Sequence, residues 1–305
     1  MTTHAHNITM LRAFSSSSVT VRGIKNVRVR FLQTTIQRLS QSSATKSVTV
    51  RNGRLHYQLR GSGSHVILCL PGALGTALTD VHPQLEYFGR EGSGYTVVGI
   101  DPLGYGASRP PEREFQVEPD HFLKIDALDS HVLMQALSFK KFSVLGWSDG
   151  GVSAIILAAL FPDSVEKLVV WGSNAYVTKE DIELFEKTRD ITNWSQRMRE
   201  PMENLYGDFF QSLWSNWVDA MRAIYKRRES GDLCLEEVKQ VQCPTLIFHG
   251  AKDAMCPQFH ADYLKEKIKD SKMVVMSEGK HNLHLKYAQE FNRLVDTFLS
   301  TNQKI

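Results

Sequence analysis

The stretch FSVLGWSDGGVSAIILAALF, residues 142–161, decides how the rest of the chain is read. A continuous apolar run ends in Gly146-Trp147-Ser148-Asp149-Gly150, and a helical pattern follows at once. This is G-x-S-x-G between strand and helix, where small residues permit a strained turn that projects a serine hydroxyl as a nucleophile. Asp149 is the odd member. In acyl transfer a negative charge develops on the substrate oxygen beside Ser148. A carboxylate about 6 Å away, at an effective dielectric near 20, would raise the energy of that charge by about 3 kcal/mol, roughly a hundredfold in rate. Seating at the positive end of the following helix returns only about 0.3–1 kcal/mol. A cationic group on the substrate would cancel the penalty and satisfy the carboxylate when a lid closes.

Working outward, further apolar runs end at Gly72 (HVILCLPG), Gly104 (YTVVGIDPLG), Ser173 (KLVVWGS), Gly250 (PTLIFHG) and Gly279 (KMVVMSEG). They are continuous rather than alternating, as in parallel strands covered on both faces. Amphipathic helices lie between them; Tyr287, Phe291, Leu294, Val295, Phe298 and Leu299 recur on one face of the last. The expectation is an α/β protein with a mostly parallel central sheet and helices on both faces. An opening hairpin is expected around Asn52-Gly53. The rhythm breaks between residues 174 and 242, which read as an inserted helical lid dividing the core into residues 47–173 and 243–305. Its aromatics Trp194, Tyr206, Phe209, Phe210, Trp214 and Trp217 are expected to pack within the lid rather than touch substrate.

Ligands of parallel sheets gather at the carboxyl ends of the strands. There the chain offers Asp253 in HGAKDAMCP and His281 in EGKHNLHL, completing the order Ser, Asp, His. Serine needs a base oriented by a carboxylate, so His281 is expected as the base and Asp253 as its partner. His284 competes but enters the final helix; His249 reads as structural; Asn174 removes the other usual place for the acid. The oxyanion hole should combine the Asp149 amide with that of Ala73 in LPGALG.

These motifs, in this order over nearly all of residues 47–300, resemble the α/β-hydrolase superfamily. GWSDGG, WGSNAYVT and EGKHNLHL are most similar to its valacyclovir hydrolase, or biphenyl hydrolase-like, family of mitochondrial serine hydrolases. The resemblance implies action on α-amino acid esters through an acyl-enzyme, with Asp149 holding the α-ammonium group. It departs at Ala73, where the family can carry a larger residue, which bears on pocket shape rather than on the amide. A carbon–carbon bond hydrolase of the meta-cleavage type or a general carboxylesterase is the alternative, the former disfavoured because its substrate is anionic. An epoxide hydrolase or dehalogenase would need a carboxylate where Ser148 stands. A non-catalytic scaffold would be expected to have lost a triad member.

Composition sets outer limits. The 305 residues carry a net charge of +3, but seven Lys or Arg and no acidic residue precede residue 47, leaving −4 on the body. Nucleic acid binding is therefore not expected. Residues 1–46, Arg- and Ser-rich and without an apolar core, read as a mitochondrial transit peptide. No membrane span is expected. Cys69, Cys234, Cys243 and Cys256 lack metal spacing and read as small hydrophobes. A metal at His281 and His284 lacks a third ligand. The expectation is a monomer acting on a small-molecule ester, with no cofactor and no metal.

Overall fold

The computed structural model describes residues 46–301, so the expected transit peptide lies, but for Lys46, outside the described residues. One eight-stranded sheet runs in the order β1-β2-β4-β3-β5-β6-β7-β8. Strands β1 (Lys46–Val50) and β2 (Gly53–Gly61) form an antiparallel hairpin, and β2 pairs antiparallel with β4 (Tyr95–Asp101). The other neighbours are all parallel: β3 (His65–Leu70), β5 (Phe142–Trp147), β6 (Val165–Trp171), β7 (Thr245–Gly250) and β8 (Ser271–Met276). The hairpin forms where expected, but its register pairs Val50 with Gly53, so the two-residue loop is Arg51-Asn52, one place before Asn-Gly.

Successive residues of the parallel strands serve opposite faces, which is why their sequences are apolar throughout. Leu68, Val98, Val144, Val170 and Ile247 pack beneath helices α2 (Phe122–Ala136) and α3 (Asp149–Leu160). Ile67, Val97, Leu145, Val169 and Phe248 face α1 (His82–Phe88) and the C-terminal helix α10 (Ala288–Ser300). Each fully buried aliphatic side chain contributes roughly 1.5–3 kcal/mol, so the two layers carry the stability and leave the strand ends free for polar work.

Between β6 and β7 the chain is helical: α4 (Lys179–Lys187), α5 (Gln196–Tyr206), α6 (Phe209–Arg227) and α7 (Glu237–Gln240). Helix α4 starts on a capping box in which Thr178 and Asp181 satisfy each other's amides. Asp181 also receives His260 Nε2 at 2.9 Å, tying this helical segment to α8 (Gln258–Lys267) of the core. After β8 come the short α9 (Leu283–Lys286) and α10. No described helix is long and apolar enough to cross a membrane, and no described group of His, Cys, Asp and Glu could hold a metal. The four cysteines are free, and three of them are buried.

Phe291 of α10 is fully buried, with ring centroids 4.8 Å from Trp171 and 4.7 Å from Phe248. Phe291→Ala should lower unfolding free energy by about 3–5 kcal/mol. A lower urea midpoint at unchanged slope is the expected readout.

Candidate active site

Strand β5 ends at Trp147, and the turn into α3 forces Ser148 to φ 54°, ψ −121°, a region costly for a residue with a side chain. The turn closes because Gly146 and Gly150 have no Cβ. One added at Gly146 would stand 2.3 Å from the Gly150 carbonyl oxygen, and one at Gly150 would stand 2.4 Å from those of Leu70 and Pro71. The Ser148 amide donates to Trp171 O at 3.0 Å, and its carbonyl accepts the Gly151 and Val152 amides at 2.8 and 3.2 Å. The elbow is thus locked through its backbone while the hydroxyl faces a cavity of about 340 Å³.

His281 and Asp149 line the same cavity, as do Ala73 and Asp80. Asp253, in the loop after β7, accepts His281 Nδ1–H at 2.9 and 3.1 Å and the Met255 and Cys256 amides at 2.9 and 3.0 Å. Its carboxylate is 1% exposed. Burial alone would raise the Asp253 carboxyl, but the His281 charge, its hydrogen bond and the two amides hold it below the ordinary value. Burial alone would lower His281; the Asp253 carboxylate and its hydrogen bond, with Asp149 and Asp80 behind, raise it instead. With Nδ1–H committed to Asp253, Nε2 is the nitrogen left to accept a proton. Gly172, at φ 56°, makes room for the ring: a Cβ there would lie 2.9 Å from His281 Cε1. Trp147 Nε1 donates to His281 O at 2.9 Å. The structure brings Ser148, Asp253 and His281 to the carboxyl ends of β5, β7 and β8, on one edge of the sheet; among the described residues Ser148 Oγ makes no hydrogen bond, a gap that ligand-free sites commonly close on binding.

Neither the Ala73 nor the Asp149 amide has a protein acceptor among the described residues, so both can donate to a substrate oxygen. Asp149 as a residue is 8% exposed. Among the described residues its carboxylate has one hydrogen-bond donor, Trp217 Nε1 of the lid, at 2.7 Å. Arg113, the nearby buried cation, is committed to Asp126 through bonds of 2.7 and 2.6 Å. Burial therefore pushes Asp149 up to about 7, against the Trp217 bond and the Arg113 charge. A cation beside it would favour the ionised form.

The histidines set aside by sequence are accounted for. His284 is fully buried, donates Nε2–H to Asp80 O at 3.0 Å and is pushed down to about 3 by burial. His249 is buried within β7 and likewise lowered. Asn174 lines the cavity and donates to Tyr176 O at 2.7 Å.

Sequence reasoning missed three residues. Trp217 was expected to pack inside the lid, yet it holds Asp149 and lines the cavity with Trp194 and Trp214. The lid needs an aromatic ceiling, and Trp214 stacks on Trp217 at 4.6 Å while both rings face inward. Phe210 is buried, as expected, and Phe209 is 53% exposed. Asp80 lies beneath the Ala73 loop, accepts the Gly72 amide at 2.9 Å and is pushed up to about 7 by burial. Tyr206 leaves the lid interior to donate to Leu74 O at 2.6 Å. No local spacing marks Trp217 or Tyr206, because their contacts join distant segments; Asp80 reaches only eight residues back to Gly72, but no motif distinguishes it from an ordinary loop carboxylate.

Residues 65–200 match the family model described as alpha/beta hydrolase fold. The chain is 48% identical to serine hydrolase BPHL of Homo sapiens over 85% of this chain and 87% of that one. It is 24% identical to a 2-hydroxy-6-oxononadienedioate/2-hydroxy-6-oxononatrienedioate hydrolase of Paraburkholderia xenovorans, over 87% and 98%. Among solved structures, an esterase from Exiguobacterium antarcticum superposes with TM-score 0.68 at 21% identity, over 85% and 100%, a likeness of fold alone.

Asp149→Asn removes one of the negative charges that raise His281. A less stabilised imidazolium loses its proton at lower pH. The acid limb of kcat/KM on an ester without an amine should therefore move to lower pH; movement the other way would contradict the charge assignment.

Proposed function

We propose that this chain, which belongs to the α/β-hydrolase family and within it to the biphenyl hydrolase-like serine hydrolases, cleaves esters of α-amino acids. The observation that carries the reading is the Asp149 carboxylate, buried next to Ser148 with, among the described residues, a single indole donor and no cation paired to it. An acyl group bearing an α-ammonium supplies the missing charge where the substrate carbonyl must sit. Trp194, Trp214, Trp217, Met202 and Met221 line the cavity, which suits an apolar amino acid side chain and a large alcohol.

In the proposed reaction Ser148 Oγ attacks the ester carbonyl carbon as His281 Nε2 takes the hydroxyl proton. Asp253 keeps the imidazole in the Nδ1–H tautomer and stabilises its charged form. The Ala73 and Asp149 amides hold the oxyanion, each worth on the order of 3 kcal/mol. Collapse breaks the bond to the alcohol oxygen, which takes the proton from His281. Water, deprotonated by His281, then attacks the acyl-serine, and Ser148 leaves with its proton restored. The basic, acid-free leader carries the enzyme to the mitochondrion in this reading.

A carbon–carbon bond hydrolase remains the second reading, because the Paraburkholderia relative is one by name. A dienedioate is a dianion, and a buried carboxylate beside the nucleophile opposes it.

The test is hydrolysis of one alcohol esterified with valine and with its des-amino analogue. The valine ester should be strongly preferred, and Asp149→Ala should lower its kcat/KM while sparing the analogue or improving it, by up to about 100-fold as the uncancelled charge is removed. Equal losses on both would make Asp149 structural. Ser148→Ala should reduce turnover by on the order of 10⁴-fold or more with the fold intact; retained esterase activity would defeat the nucleophile assignment.

A further inference from the structure

The loop that carries the Ala73 amide is tied down on its core side. Gly72 donates to Asp80 Oδ2 at 2.9 Å, Gly75 to Gly72 O at 3.0 Å, Thr76 to Thr79 Oγ1 at 2.9 Å and Ala77 to Asp101 Oδ1 at 3.0 Å. Asp80 is itself held by Thr79 Oγ1 at 2.9 Å. These bonds fix the two ends of the loop. Its crest is Leu74, which sits at φ 62°, a left-handed conformation costing a residue with a side chain about 1–2 kcal/mol. Rotation of the 73–74 segment out of that conformation would re-aim the Ala73 amide. What opposes it on the solvent side comes from the lid: Tyr206, the last residue of α5, donates its phenol to Leu74 O at 2.6 Å.

The phenol is anchored in turn. It accepts the Gly106 amide at 3.2 Å, from the loop that follows β4, and Tyr206 is 4% exposed. That loop is held by Asp101, whose Oδ2 accepts the Ala107 amide at 2.9 Å while its Oδ1 accepts Ala77 of the first loop. Tyr206 and Asp101 thus bridge the same two loops, one from the lid and one from the sheet. Burial keeps the phenol protonated, so its hydrogen remains available to Leu74.

We propose that Tyr206 is a positioning residue for the oxyanion hole: through its bond to Leu74 O, the lid holds the Pro71–Thr76 loop so that the Ala73 amide meets the developing oxyanion. Accurate aim matters because such a donor is worth most when it is already oriented as charge appears. The lid then reaches both oxyanion donors, touching Leu74 beside Ala73 through Tyr206 and Asp149 itself through Trp217. The proposal rests on Ser148 as nucleophile and Ala73 as oxyanion donor, but not on which acyl group is preferred.

Tyr206→Phe removes one oxygen from a side chain that does not line the cavity. It should lower kcat about tenfold on valine and des-amino esters alike, with KM within about twofold and the pH profile unmoved; outright loss of an oxyanion donor costs about 10²–10³. Ser148 labelling by an uncharged fluorophosphonate, whose phosphoryl oxygen occupies the same hole, should slow by a similar factor. A lower melting temperature with unchanged kcat and labelling rate per folded molecule would overturn the proposal. Gly207→Ala is the second variant, needed should Tyr206→Phe not fold. Gly207 has φ 54° and open space around it, so alanine strains the backbone that seats Tyr206 without meeting a neighbour. It should lower kcat several-fold at constant KM, and an unchanged kcat there would equally overturn the proposal. Wild-type labelling that is lost in Ser148→Ala shows the nucleophile assignment intact, so failure of the Tyr206 proposal would stand apart from failure of the reading beneath it.

Discussion

A carboxylate buried one residue from Ser148, the proposed nucleophile, is the constraint around which this site is organised. Asp149 begins α3, where the helix dipole favours negative charge, but that benefit is smaller than the cost of an anion near a developing oxyanion. The surrounding protein does little to neutralise it. Arg113 is spent on Asp126, and among the described residues the carboxylate's one hydrogen-bond donor is a neutral indole. The result is a carboxyl group lifted by burial into the physiological range, open to a cavity wide enough for an ester. In the proposed function its backbone amide and its side chain face one substrate with opposite demands: the first donates to an anion, the second seeks a cation. The proposed acyl group, with an ammonium on the carbon next to the carbonyl, would meet both at once.

The same electrostatics reach His281, the proposed base. His281 would be a weaker base if burial acted alone, and Asp253 reverses that by accepting its Nδ1–H within a cage of two further amides. Asp80 and Asp149 add to the effect from the cavity wall. The three carboxylates therefore divide the labour by environment. Asp253 is well supplied with donors and stays ionised, whereas Asp80 and Asp149 have fewer donors and are raised by burial. The lid enters this arrangement as more than a cover, since its Trp217 is the donor that partly stabilises Asp149.

Much of the architecture was legible because parallel strands are buried on both faces and so are apolar without alternation. Runs such as His65–Leu70 and Thr245–Gly250 could be placed from their residues alone, and the glycine- or serine-containing turns after them mark where polar side chains gather. The hairpin register was less legible: Asn52-Gly53 signals a turn, but the pairing of β1 with β2 sets Val50 opposite Gly53, one residue before that signal. His281 and His284 are close in sequence and alike in type. The sequence set His284 behind only by its expected place in the final helix; it lies instead in the short α9, where packing seals it among Trp147, Trp171 and Asp80 O.

By itself, then, the sequence determined the α/β layering, the strained serine turn and the presence of an acid and a histidine at later strand ends. Each of those follows from local pattern, which short-range sterics and the periodicity of burial impose on neighbouring residues. The tertiary structure decided which lid side chains meet the catalytic loops. Trp217 reaches Asp149 across 68 positions and Tyr206 reaches Leu74 across 132. Such contacts depend on how the helices of the lid cross the strand ends, a geometry set by whole-element packing that leaves no repeat or spacing in the chain.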